Sequence, residues 1–276
     1  MTDAHRRVAV AERAARAGGA VARQAFRGDL TVETKTDKND LVTESDRDAQ
    51  RQVVSTLHGE FPNDAIVGEE DAVPLGTPGD SVEILSEVPE SGDVWVVDPI
   101  DGTTNFSRGM RTWATAVAAV VDRRIVAGAV YLPAVEDVYA AGTETGARNG
   151  NALAVSDRTD PETFVAAPIG RFDRGSGDDL GAVSTAIVDR LADVRRIGSM
   201  QATLAAVASG ELDATFSTYF PYPWDSLAGI HLVRQAGGTV TGLDGEPWTF
   251  ESDAVVASNG AAHEAVCEVA RAAESG

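Results

Sequence analysis

Two aspartates three residues apart, Asp98 and Asp101, stand at the end of the apolar run Trp95-Val96-Val97, with Pro99 between them and Gly102-Thr103-Thr104 directly after. Paired carboxylates of this kind can hold hard divalent cations, which prefer oxygen donors. The glycine lets the backbone approach a ligand, and the hydroxyl residues can open a helix whose first N–H groups face phosphate oxygens. The same spacing fits a strand ending in an Asp-capped turn, so the pair alone leaves both readings open. Glu69 and Glu70 follow the short apolar run Ala65-Ile66-Val67 and Gly68, and strand ends are where α/β folds collect their chemistry. Asp225 follows Trp224 and precedes Ser226-Leu227-Ala228, which also suits a helix N-cap. Asp46 lies three residues after Thr43, where it either completes a turn resembling a capping box or takes part in chemistry. No His or Cys accompanies these acids, so Mg2+ is expected in place of zinc. Two such ions held by shared carboxylates can activate water and stabilise the leaving oxygen in phosphoester hydrolysis.

These acids need elements to position them. Apolar spacing predicts a helix over 4–26, weakened or bent at Gly18-Gly19. A second helix is expected to start at Thr43, run through Ala49, Val53, Val54 and Leu57, and stop at Gly59 and Pro62. Strands are expected at 65–67 and 95–97, then at 115–121, 126–132 and 137–141. The turn Asp122-Arg123-Arg124 makes the first two of that trio antiparallel neighbours, and Asn149-Gly150 marks another tight turn. Residues 71–93 are acidic and broken by prolines, and read as a mobile flap or hairpin with a possible strand over 82–85. From Phe164 a strand–helix rhythm follows, with helices near 178–191, 200–209, 226–237 and 261–273 and strands near 212–217 and 254–258. Two packed lobes are expected, 1–150 with most of the acids and 151–276 with Asp225.

The chain has 276 residues, with 43 acidic against 23 basic ones, for a formal net charge of -20. Such a surface repels nucleic acid and points to a halophilic source, where salt screens the self-repulsion. Cys267 is the only cysteine, and its apolar neighbours Val266 and Val269 suggest a buried helix position without a nucleophilic role. No membrane-length apolar run or leader-like segment stands out, so a cytoplasmic protein without a membrane partner is expected.

The blocks VGEE, DPIDGTTNF, WDSLAG, AGG and VASNG occur in this order, from Asp40-Leu41-Val42-Thr43 to Glu264-Ala265. Together they resemble the inositol monophosphatase family of the sugar-phosphatase superfamily, over nearly the whole chain. The resemblance implies a layered αβαβα sandwich, an α/β or α+β fold, and commonly a homodimer. It further implies lithium-sensitive, Mg2+-dependent phosphatase activity with two or three ions per site and a small sugar or inositol phosphate as substrate. By resemblance, Glu69, Asp98 and Asp101 hold the first metal, the Ile100 carbonyl holds one ion, and Asp225 holds the second. Thr103 and Asp46 match the pair that orients and deprotonates the attacking water, while Gly102 and Thr103 cradle phosphate. Gly198 and Ser199 border the substrate pocket, and Glu70 lies near the site without an assigned role. His231 is expected to be packed or exposed, with no part in catalysis.

The departures fall on the substrate side. Thr218 stands where inositol-specific relatives often carry a glutamate, within the aromatic and proline-rich STYFPYPWD. Met200 and Gln201 replace the small residues usual after Gly-Ser. Arg195 and Arg196 are surface or dimer-contact residues by default, with a second phosphate as the other possibility. Inositol 1-phosphate and fructose 1,6-bisphosphate are therefore both expected candidates. The alternatives are a 3′-phosphoadenosine or NADP-type phosphatase, hinted at by Tyr219, Phe220 and Tyr222, and a catalytically silent binding protein of the same fold.

Overall fold

The computed structural model describes residues 3–28, 32–34, 41–69, 73–74, 81–170, 172, 177–217, 219 and 221–274. Helix α1 (Asp3–Ala25) opens the chain, followed by the antiparallel pair β1 (Val32–Thr34) and β2 (Leu41–Thr43) and by α2 (Glu44–Glu60). Strand β3 (Ala65–Gly68), the two-residue ribbon β4 (Val73–Pro74) and β5 (Ser81–Val82), and β6 (Ile84–Leu85) lead to β7 (Asp93–Asp101). After the short helix α3 (Thr103–Ser107) comes a meander of β8 (Ala114–Val121), β9 (Arg124–Leu132), β10 (Asp137–Ala141), β11 (Gly146–Arg148) and β12 (Asn151–Ala152). These strands form an eight-stranded sheet in the order β12-β11-β10-β9-β8-β7-β3-β6. Strands β6, β3 and β7 run parallel, and the rest alternate. The loops turn tightly: Asp122 and Arg123 have φ of 46° and 56°, and Asn149 and Gly150 have φ of 49° and 82°, as a primed hairpin turn requires.

The chain continues through β13 (Val165–Pro168), α4 (Gly177–Val188), β14 (Asp193–Val194), α5 (Met200–Ala208), β15 (Ala214–Ser217), α6 (Pro223–Gln235), β16 (Thr239–Thr241), β17 (Val255–Ser258) and α7 (His263–Glu274). A five-stranded sheet results, ordered β14-β13-β15-β17-β16. Side-chain alternation sorts the layers. On β8, Ala116, Ala118 and Val120 join the core shared with α5, α6 and the small sheet, whereas Val117 and Ala119 face Val10, Ala14, Val54 and Leu57 of α1 and α2. On the far side of the small sheet, Phe164, Phe216 and Val256 pack against Ile187 of α4 and Val266 and Val269 of α7. The order is helix pair, sheet, helix pair, sheet, helix pair, the expected αβαβα sandwich.

Four local expectations need adjustment. Helix α1 runs unbroken through Gly18-Gly19; a Cβ on Gly18 would lie 2.4 Å from Val53 Cγ2, so the glycine serves close packing against α2. Within 71–93, Ile84-Leu85 is the edge strand of the large sheet, while residues 70–72 and 75–80, including Glu70, lie outside the described residues. Strands β14 and β16, two and three residues long, had no counterpart in the sequence pattern. Asp225 is the third residue of α6, after Pro223 at its start, and is not its N-cap. Among the described residues, no helix is long and apolar enough to cross a membrane.

Candidate active site

Strand β7 carries the site because its pairing with β8 slips. Asp98 pairs with Ala116 and Asp101 with Ala114, so three steps on β7 match two on β8. In an unbroken strand, residues three apart point to opposite faces. The extra residue of the bulge, anchored where Thr115 Oγ1 donates to the Pro99 carbonyl at 2.8 Å, brings both carboxylates to one side. Strand β3 runs parallel to β7 with Gly68 opposite Val97, so Glu69 emerges beside Asp98. The first turn of α6 adds Asp225. Ligand atoms of Asp98, Asp101 and Asp225 lie within 4.8 Å of one another. Glu69 falls outside that group of three, but its charge acts on Asp98.

Asp98 is buried, and among the described residues its Oδ1 has no hydrogen-bond partner. Burial first, then the charges of Glu69, Asp101, Asp225 and Asp46, push its carboxyl well above the usual range. Such an arrangement is costly unless a cation compensates it. The donor set is all oxygen, which suits Mg2+ or a similar hard ion.

Asp101 is held differently. Burial raises its carboxyl, opposed by the hydrogen bonds it receives at the start of α5. Ser199 Oγ donates to Oδ2, Met200 N–H donates to Oδ1 at 3.1 Å, and Gln201 N–H donates to Oδ2 at 2.7 Å. The N-terminus of α5 therefore grips the carboxylate, with a dipole of the right sign. Ser199 also accepts from Ala202 N–H at 3.1 Å as the α5 N-cap. The structure thus places the buried Ser199 hydroxyl on Asp101.

Gly102 and Gly198 cross back to back. Both have positive φ, 88° and 79°, and a Cβ on Gly102 would meet the Gly198 carbonyl and Ser199 Cβ at 3.1 Å. Asn105 fastens this crossing, its Nδ2 donating to the carbonyls of Thr112 at 2.6 Å and Ile197 at 2.8 Å. Neither Asn105 nor Gln201 carried a role in the sequence reading, because Asn105 meets Ile197 and Gln201 meets Asp101 across long stretches of chain. Thr103 opens α3, its hydroxyl 3.1 Å from the Ile100 carbonyl and 3.5 Å from Asp46 Oδ1. Asp46, in the first turn of α2, is buried.

The other candidates fall away from these acids. His231 is buried, and its Nε2–H donates to the Gly142 carbonyl at 2.8 Å. Cys267 is buried, and burial pushes its thiol up. Arg195 pairs with Asp193 at 2.6 Å, and Arg196 lies over the Phe172 ring at 4.9 Å. Thr218 and Phe220 lie outside the described residues.

Comparison with known proteins agrees with this architecture. A fructose-1,6-bisphosphatase/inositol-1-monophosphatase of Thermotoga maritima is 33% identical over 241 residues, covering 86% of this chain and 85% of the relative. The Nus factor SuhB of Pseudomonas aeruginosa is 34% identical over 255 residues, covering 91% and 90%. The solved structure of a Thermotoga maritima IMPase superposes with a TM-score of 0.82 at 29% identity, covering 95% of each chain. The profile of the inositol monophosphatase family matches residues 3–275, and the chain belongs to that family.

Proposed function

We propose that this chain is a Mg2+-dependent phosphomonoesterase acting on small sugar or inositol phosphates. The observation that carries the reading is the convergence of Asp98, Asp101 and Asp225 within 4.8 Å, with a buried Asp98 oxygen that no described donor satisfies. Glu69, Asp98, Asp101 and the Ile100 carbonyl would hold one part of a cluster of two or three ions, and Asp225 the other. When bound, the ions would supply Lewis acidity toward the phosphoryl oxygens and toward water.

The chain's own groups do the rest. The Thr103 hydroxyl has one proton and two nearby acceptors, the Ile100 carbonyl and Asp46. Donating that proton inward leaves its lone pairs to receive a hydrogen bond from water and orient it. Asp46 then takes up the water's proton. Gly102 and Thr103 stand at the opening of α3, where the first N–H groups lack intrahelical partners and suit phosphate oxygens. Gly198, crossing Gly102, sets the wall of this turn. We take the protein to work in the cytoplasm of a halophile as a homodimer.

One observation favours a second substrate class. The Tyr222 and Trp224 rings stack at 4.8 Å and 6° directly before Asp225, with Tyr222 exposed. A flat surface there suits a nucleoside phosphate, such as a 3′-phosphoadenosine or NADP-type ester. The SuhB relative supports a third reading, a binding protein of the same fold, although the net charge of -20 disfavours nucleic acid as its partner.

The test is phosphate release from inositol 1-phosphate, fructose 1,6-bisphosphate, adenosine 3′,5′-bisphosphate and NADP, with Mg2+ or EDTA, at low and high KCl, with and without Li+. We expect Mg2+-dependent, Li+-sensitive release favouring one sugar phosphate, and stability that rises with KCl. Preference for the nucleotides would support the second class. Release from none of them in either salt would sink the enzyme reading.

A further inference from the structure

Gln201 is wholly buried, and both ends of its side-chain amide are committed to α6. Oε1 accepts from Gly229 N–H at 2.8 Å, and Nε2 donates to the Trp224 carbonyl at 2.6 Å. A backbone N–H only donates and a carbonyl only accepts, so these partners fix which way the amide faces. They also bracket Asp225: Trp224 precedes it, and Gly229 lies one helical turn beyond. The backbone N–H of Gln201 meanwhile donates to Asp101 Oδ2 at 2.7 Å. A single residue therefore bonds one carboxylate directly and grips the helical turn that carries another. Gly229 makes the approach possible, since a Cβ there would lie 3.0 Å from Gln201 Oε1 and 2.4 Å from Leu204 Cβ.

We propose that Gln201 is a positioning residue: its side-chain amide sets the spacing of the Asp101 and Asp225 carboxylates and so the affinity of the cation between them. The inference rests on the metal-dependent reading above. The two carboxylates repel each other and push α6 away from β7 and from the start of α5 that is bonded to Asp101. Two hydrogen bonds from a neutral amide oppose that separation without adding charge. A glutamate of the same length would add a further negative group, and an asparagine is one methylene too short to span both partners. The small residues that the family resemblance led us to expect at this position could make neither bond.

The test is Gln201→Met, which keeps the length and the backbone N–H to Asp101 but removes both side-chain bonds. Mn2+ binding is read by calorimetry and by electron paramagnetic resonance of the free ion, with phosphate release measured in parallel. We expect Mn2+ affinity to fall roughly tenfold, the scale seen when groups that orient metal ligands are removed. The Mn2+ concentration for half-maximal turnover should rise with it, while substrate KM at saturating Mn2+ stays put. Val207→Ala, a buried core truncation in the same helix, serves as the control: it should lower Tm and leave Mn2+ affinity unchanged. Should the methionine variant fail to fold, Gln201→Asn takes its place with the same expectations. Wild-type Mn2+ affinity in these Gln201 variants, or an equal loss in Val207→Ala, would overturn the inference and leave the function standing. A wild-type chain that binds no Mn2+ would instead remove the metal-dependent reading and this inference together.

Discussion

Replacing Asp98 with Asn should stabilise the metal-free protein while abolishing its activity. Asp98 is buried with an unpartnered Oδ1, and its ligand atom lies within 4.8 Å of those of Asp101 and Asp225. At that distance and an effective dielectric near 20, each like-charged pair costs about 3.5 kcal/mol. Uptake of a proton limits the penalty, because burial and the surrounding carboxylates raise the Asp98 carboxyl well above its usual range. We therefore take relief of one such pair, about 3 kcal/mol, as the gain in the variant. A chain of 276 residues unfolds with an entropy of about 0.6 kcal/mol/K, so the midpoint should rise by about 5 °C in EDTA. In saturating Mg2+ the gap should nearly close. Wild type would gain about 2.7 kcal/mol at a hundredfold excess over Kd, whereas the variant gains little. Differential scanning calorimetry with EDTA and with Mg2+, alongside phosphate release, measures all of this. A variant less stable than wild type in EDTA would refute the reasoning, since it would mean Asp98 earns its place through a hydrogen bond and not through a cation.

Two further substitutions probe other parts of the fold. Ser199→Ala removes both the α5 cap and a donor to Asp101; we expect a loss of about 1 kcal/mol and a higher Mg2+ requirement in an activity titration. An unchanged requirement would reduce the serine to a cap. Burial pushes the His231 imidazole down to about 4 from 6.5, so the native ring stays neutral while the unfolded one protonates. Its contribution is full above about pH 6.5 and is lost as pH falls toward 4, by on the order of 2–3 kcal/mol. Urea unfolding of His231→Gln should therefore show a shallower decline between about pH 7.5 and 4.5 than wild type; parallel curves would rule this out.

The parts of the site written in contiguous residues were legible. An apolar run ending in acids, a glycine and hydroxyls announces a strand, a turn and a helix start, and β7 with α3 follows that script. What was hidden depends on pairing. The bulge that brings Asp98 and Asp101 to one side exists only in the register with β8. The grip of α5 on Asp101 joins residues about 100 positions apart, so Ser199 read as pocket lining and Gln201 as a mere departure. Gly18-Gly19 suggested a weak point because the close approach of Val53 cannot be seen along one helix. Strands β14 and β16 are too short to show alternation.

The long reach of the Asp101 contact has a kinetic meaning. Segments this distant in sequence meet late, after more local pairings have formed. On that ordering we expect the carboxylates of β7 and α6 to come together near the end of folding, downstream of the rate-limiting barrier. A ligand that bridges them would leave the folding rate nearly untouched and act on the reverse step, slowing escape from the native state. The site would work as a clasp, fastened last and prolonging the lifetime of everything closed beneath it.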